Sequence, residues 1–209
     1  MTKFFVRYLE LIASKAREVD CDLLEDMCGM MRRAGRRGGK VVLVGNGGSA
    51  AIAGHIAVDL TNSAGIRAVC FNEGSLITCL ANDYGNDQWM SRAIESYGDK
   101  QDVAVLISSS GRSANIVNAA EKARSLGMGV ATLSGFFANN PLRQMGDVNL
   151  WVDSDIYNVV ETVHTTWLAA AVDRLALEMR QLPALPDERV TRMTAKDRPV
   201  RVKMEGVIL

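Results

Sequence analysis

Two stretches of this chain repeat one arrangement, and together they leave few folds open. The apolar run Lys40 to Val44 enters a glycine turn, Gly45-Asn46-Gly47-Gly48-Ser49, and continues to Leu60 as a small-residue helix carrying His55 and Asp59. Further on, the near-continuous apolar run Val103 to Ser109 enters a second loop, Ser108-Ser109-Ser110-Gly111-Arg112-Ser113, again ahead of a helical pattern. Short apolar runs without polar alternation are strands buried on both faces, the kind a parallel sheet uses. Strand, turn and helix in succession give right-handed crossovers with helices on both faces of that sheet. Ligands of such sheets bind beyond the carboxyl ends of the strands, where both loops fall.

The rest of the chain fits the same plan. Arg67 to Phe71, Gly129 to Ser134 and Val148 to Val152 read as three further strands, and Ser75 to Ala81, Asp87 to Tyr97 and Ser113 to Leu126 as helices. Apolar spacing predicts one long N-terminal helix or two shorter ones from Lys3 to about Arg33, and a last long helix from Tyr157 to Met179. The basic segment Arg32 to Lys40 reads as a helix end and turn. The expectation is a single three-layer αβα domain over residues 1–180 around a five-stranded parallel sheet, followed by an extended tail at 181–209.

Composition narrows the function. At 209 residues there is room for one ordinary domain with a sizeable core. The 24 Lys and Arg balance 24 Asp and Glu, so the totals carry no sign of a nucleic-acid surface, and a small ligand or a protein partner is expected. Cys21, Cys28, Cys70 and Cys79 sit in or beside apolar runs without CxxC spacing, which predicts reduced, buried thiols in a cytoplasmic protein. The N-terminal MTKFFVRYLELIASKA interleaves charge with apolar residues, unlike a signal peptide, and no uncharged apolar run reaches the ~20 residues of a membrane span.

Neither loop is a nucleotide motif. GNGGS is not GxGxxG, no acidic residue closes the second strand to hold a ribose, and a P-loop lysine is missing. The serine loop offers hydroxyls and backbone amides at a helix start, which suits a phosphate monoester. Beside it, His55 and Asp59 share one helix face, and Glu161 and His164 lie one turn apart on the last helix. Carboxylates and imidazoles converging on a sugar can move a proton between adjacent carbons, or hold a divalent metal such as zinc.

These residues resemble a known family. GNGGS ahead of a helix with His55, then Asn82-Asp83-Tyr84-Gly85, SSSGRS, and a helix with Glu161 and His164, is similar to the sugar isomerase (SIS) domain proteins, nearest the phosphoheptose isomerases. The resemblance spans about Lys3 to Met179 and implies a flavodoxin-like sheet and a homotetramer with active sites shared between subunits. It implies isomerisation of sedoheptulose 7-phosphate through an enediol. Ser108, Ser109, Ser110 and Ser113 would bind phosphate, and Asn46, Gly47, Gly48, Ser49, Asn82 and Asp83 would line the sugar. Asp59, Glu161 and His164 would be catalytic, and one zinc per subunit would take His55, Asp59 and Glu161. Three positions depart from the family pattern: Asp59 stands for a catalytic glutamate, Glu161 for a glutamine ligand and Ala169 for a second histidine. The DnaA initiator-associating proteins are also similar, so a non-catalytic adaptor or a sugar-phosphate sensor stands as the alternative.

Overall fold

A computed structural model describes residues 2–180, and the tail expected at 181–209 lies outside them. The five strands are β1 (Val41–Gly45), β2 (Ala68–Cys70), β3 (Val103–Ser108), β4 (Gly129–Ser134) and β5 (Val148–Trp151). They form one sheet in the order β2-β1-β3-β4-β5, every pair parallel. The helices are α1 (Thr2–Arg17), α2 (Cys21–Arg36), α3 (Gly48–Asn62), α4 (Gly74–Tyr84), α5 (Trp89–Tyr97), α6 (Ala114–Ser125) and α7 (Tyr157–Arg180), with a 3-10 turn at Leu142–Gln144.

Strand alternation divides the core. Val41, Leu43, Val105, Ile107 and Leu133 face a layer containing α2, α3 and α7. Val42, Val44, Ala104, Leu106 and Val130 face α5 and α6. This is the three-layer sandwich that successive buried strands require.

The N-terminal run is two helices rather than one long one. Asp20 breaks it by adopting extended backbone and accepting the Asp22 N–H at 2.9 Å, an N-cap for α2. α1 is then held to α7 by Trp167, whose indole Nε1–H donates to Ala16 O at 2.9 Å. α2 runs through the expected turn to Arg36, and α4 absorbs Asn82, Asp83 and Tyr84 before Gly85 ends it at φ 85°. The cysteine expectation holds in part. All four are free, but only Cys28 is buried, with its thiol pushed up to about 11 by burial; Cys21 and Cys79 are exposed because each lies on the outward side of its helix.

Candidate active site

β1 and β3 are neighbours, with Gly45 opposite Ile107, so the loops leaving their carboxyl ends lie side by side. From here α3 turns back toward β2 and α6 toward β4, which opens a crevice at the switch point of the sheet. The crevice is a cavity of about 300 Å³, within the range of small-molecule sites. Asn46, Gly47, Gly48 and Ser49 line it from the first loop, Ser108, Ser109, Ser110 and Ser113 from the second, and Tyr157 and Glu161 from α7.

Backbone geometry explains the glycines of the first loop. Gly47 adopts φ 53°, and a Cβ at Gly45 would lie 2.5 Å from the carbonyl carbon of Ser49. The two loops are tied together by a reciprocal amide pair: Asn46 Nδ2 donates to Asn115 Oδ1 and Asn115 Nδ2 donates to Asn46 Oδ1, each at 2.9 Å. The serine loop is closed by the Gly111 N–H donating to Ser108 O at 2.9 Å, with Ser108 Oγ 3.3 Å from Ser113 Oγ. Ser113 precedes α6 without capping it through its side chain, and Ser109 Oγ is buried with no partner among the described residues. The Ser109 hydroxyl is thus unspent at the loop that faces the cavity, and Ser113 Oγ, which accepts from Ser108, keeps its own proton to donate.

Behind the serine loop, fully buried Asn140 fixes its position. Its amide Nδ2 donates to Ser134 Oγ, Gly135 O and Phe137 O at 3.1, 3.2 and 2.9 Å, and its Oδ1 accepts the Arg143 N–H at 3.0 Å. Gly111 packs against this side chain so closely that a Cβ there would lie 2.9 Å from Asn140 Cβ.

The expected site residues divide into two groups. Asn46, Gly47, Gly48, Ser49, the four serines and Glu161 share the cavity. Asn82 and Asp83 do not line it; they are exposed at the end of α4 and bond each other, Nδ2 to Oδ1, at 2.9 Å. His164 is fully buried, and its Nε2–H donates to Ser134 O at 3.1 Å while Nδ1 has no partner among the described residues. Burial holds the ring neutral by lowering its pKa to about 4. Tyr157 and Asn115 were missed in the sequence: Tyr157 read only as the start of α7, and Asn115 lacked any signal beyond its place two residues after Ser113.

His55 and Asp59 pair on α3, Nε2 to Oδ2 at 3.3 Å, with 61% and 36% of their side chains exposed. Gly48 and Ser49 meet the cavity at the start of that helix, so a rise of ~1.5 Å per residue puts His55 about 10 Å and Asp59 about 16 Å farther along the axis. Among the described residues no three of His, Cys, Asp and Glu converge where a metal would sit. The zinc set expected from His55, Asp59 and Glu161 is therefore not assembled within one chain, and these residues do not fit the metal there.

Residues 4–135 match the SIS domain model. The chain belongs to the SIS domain family. This SIS domain is 42% identical over 117 residues to a phosphoheptose isomerase of Sodalis glossinidius (strain morsitans), across 54% of this chain and 60% of the relative. It is 37% identical over 132 residues to a phosphoheptose isomerase of Helicobacter pylori (strain P12), across 60% of this chain and 68% of that one. The first match thus spans less than two thirds of the relative's length. In structure it is similar to the phosphoheptose isomerase of Neisseria gonorrhoeae, with TM-score 0.76 and 27% identity over 83% of this chain and 98% of the other. The phosphoheptose isomerase from Francisella tularensis gives TM-score 0.76 and 27% identity over 83% and 95%. No helix among the described residues is long and apolar enough to cross a membrane.

Proposed function

We propose that this SIS domain interconverts a ketose phosphate and an aldose phosphate, with sedoheptulose 7-phosphate the first substrate to try. The observation that carries this reading is one carboxylate, Glu161, in the same concavity as a loop of four serines. The loop anchors the phosphate through hydroxyls and amides, which holds the far end of an open-chain sugar within reach of Glu161. Glu161 takes the proton from the carbon beside the carbonyl while a second acid protonates the carbonyl oxygen, giving an enediol. Loss of the other hydroxyl proton and return of a proton to the former carbonyl carbon completes the isomerisation. Atoms and electrons balance without any cofactor in the step.

The second acid is supplied by Asp59 of a neighbouring copy in a homo-oligomer. Phe4, Phe5 and Leu9 are 64%, 65% and 65% exposed on α1 and Val58 is 63% exposed on α3 beside Asp59, apolar surface that self-association would cover. A tetramer with shared sites and a cytoplasmic location, where phosphorylated sugars are found, complete the reading. The adaptor and sensor readings would leave Glu161 without a task at the cradle, and the relatives reported above bear the isomerase name.

The test is solvent deuterium exchange at the carbon beside the carbonyl of sedoheptulose 7-phosphate and related ketose phosphates. Exchange with one of them, lost in Glu161→Gln, is expected. Absence of exchange with all of them overturns the proposal.

A further inference from the structure

Tyr157 lines the serine-loop cavity from the first turn of α7, one turn ahead of Glu161 on the same helix face. The reaction proposed above gives it no task. Its side chain belongs to a residue 57% exposed, and among the described residues its hydroxyl makes no hydrogen bond. One neighbour holds the ring. Phe136 meets it edge to face, with centroids 4.7 Å apart and planes at 67°.

Phe136 reaches that contact through strained backbone. It is the one non-glycine among the described residues with positive φ, 56°, a region that asparagine and glycine enter far more readily than an aromatic residue. The segment after β4 is clamped on two sides. The Phe136 N–H donates to Ser154 O at 2.8 Å, just ahead of α7, and the Gly135 N–H donates to Ser109 O at 2.9 Å in the serine loop. Gly135 also lies so close to α7 that a Cβ there would be 2.8 Å from both methyl carbons of Val160. The segment thus ties the phosphate loop to the helix that carries Tyr157 and Glu161.

Neither backbone bond needs an aromatic side chain. A glycine or an asparagine at position 136 would keep both and relieve the strain, so the strain is borne for the ring. Core packing explains that ring only in part, since Phe136 is partly buried at the margin of the core and its aromatic partner is a residue of the cavity. Backbone strain of this kind persists where the surrounding structure over-determines it, and it clusters at sites that need a fixed geometry.

We infer that Tyr157 bonds a hydroxyl of the substrate's carbon chain, and that Phe136 is the positioning residue that holds the Tyr157 ring for that contact. The inference rests on the sugar-phosphate reading of this cavity and adds what its other groups lack. The serine loop grips a phosphate whatever it is attached to, and Glu161 acts at the reacting carbon. Tyr157 stands about 6 Å from Glu161 along α7, at ~1.5 Å per residue, so its phenol meets a different part of the chain. A phenol O–H both donates and accepts, as a sugar hydroxyl does. A site built around such a bond rejects a ligand that lacks the hydroxyl. Tyr157 therefore makes the cavity select polyol phosphates over alkyl phosphates.

The test is calorimetric titration of the full chain with sorbitol 6-phosphate, which has no carbonyl to isomerise, beside hexyl phosphate, which has the same carbon count and no hydroxyls. The parent should bind the polyol phosphate more tightly. Tyr157→Phe should weaken sorbitol 6-phosphate about tenfold, with hexyl phosphate binding and melting temperature unchanged, as loss of one hydrogen bond requires. Phe136→Asn, which suits positive φ but lacks the ring, should weaken it likewise, and Phe136→Tyr, which keeps a ring, should not. Equal binding of sorbitol 6-phosphate by the parent and Tyr157→Phe overturns the role of Tyr157 and leaves the sugar-phosphate reading standing. Equal weakening in Phe136→Asn and Phe136→Tyr overturns the positioning role of Phe136. A parent that binds neither phosphate overturns this inference and the sugar-phosphate reading together. Tyr157-dependent binding without deuterium exchange on any ketose phosphate supports the inference and overturns the isomerase reading alone.

Discussion

The carboxylate of Glu161 on α7 lies over the bare Cα of Gly48 at the start of α3: a Cβ built there would be 2.6 Å from Glu161 Cδ and 2.7 Å from Oε1. Gly48 therefore sets how far Glu161 reaches into the cavity. Gly48→Ala should push the carboxylate out by about an ångström and lower turnover on the order of a hundredfold. Steady-state kinetics with a parallel melting curve checks this; a variant with full turnover would mean that Glu161 acts from elsewhere.

Asn140 holds the segment after β4 against the serine loop without touching the cavity. Asn140→Ala leaves buried oxygens of Ser134 and Gly135 unpaired, at a cost of about 2–3 kcal/mol. The loosened loop should raise KM for the sugar phosphate more than it lowers kcat. Urea unfolding and a KM measurement read the two effects separately.

His164 makes stability depend on pH. Burial lowers its folded-state pKa to about 4, below the 6.5 of the ordinary side chain, so between these values the unfolded chain binds the extra proton. The contribution is complete above pH 6.5 and is lost as pH falls through about 4, for a total of about 3 kcal/mol. Folding stability measured between pH 7 and pH 4 should fall less steeply in His164→Gln than in the parent. The same variant tests catalysis: kept turnover marks the residue as structural, and lost turnover with intact stability at pH 7 marks it as catalytic.

A site completed by a neighbouring copy predicts complementation. Glu161→Gln and Asp59→Asn should each be inactive alone. Reassembling the two from a dissociated mixture should restore part of the deuterium exchange, because some sites then draw an intact residue from each chain. No recovery from a mixture shown to co-assemble would place Asp59 and Glu161 in the same chain's site.

Much of the fold was legible because its signals are local. The apolar runs at Val41 and Val103 read as buried strands, and the loops after them announced the ligand end of the sheet. The break at Asp20 was harder to see, because apolar spacing continues through it and only the cap distinguishes two helices from one. Asn82 and Asp83 read as a loop, yet α4 runs on through them and turns them to solvent.

The sequence alone determined the alternation of strand and helix, the parallel sheet and the two loops at its carboxyl end, since each depends on periodicity and turn chemistry within a few residues. Tertiary structure decided which polar groups meet. Glu161 and His164 lie three residues apart, about 60° around α7 at 100° per residue, and spacing treats them as partners. The rotation of α7 against β4 puts Glu161 in the cavity and His164 in the core on Ser134. The same packing brings Tyr157 to the cavity and leaves His55 and Asp59 on the outer face of α3. A helical period fixes angles between side chains on one helix; the direction in which that helix faces is set by what it packs against.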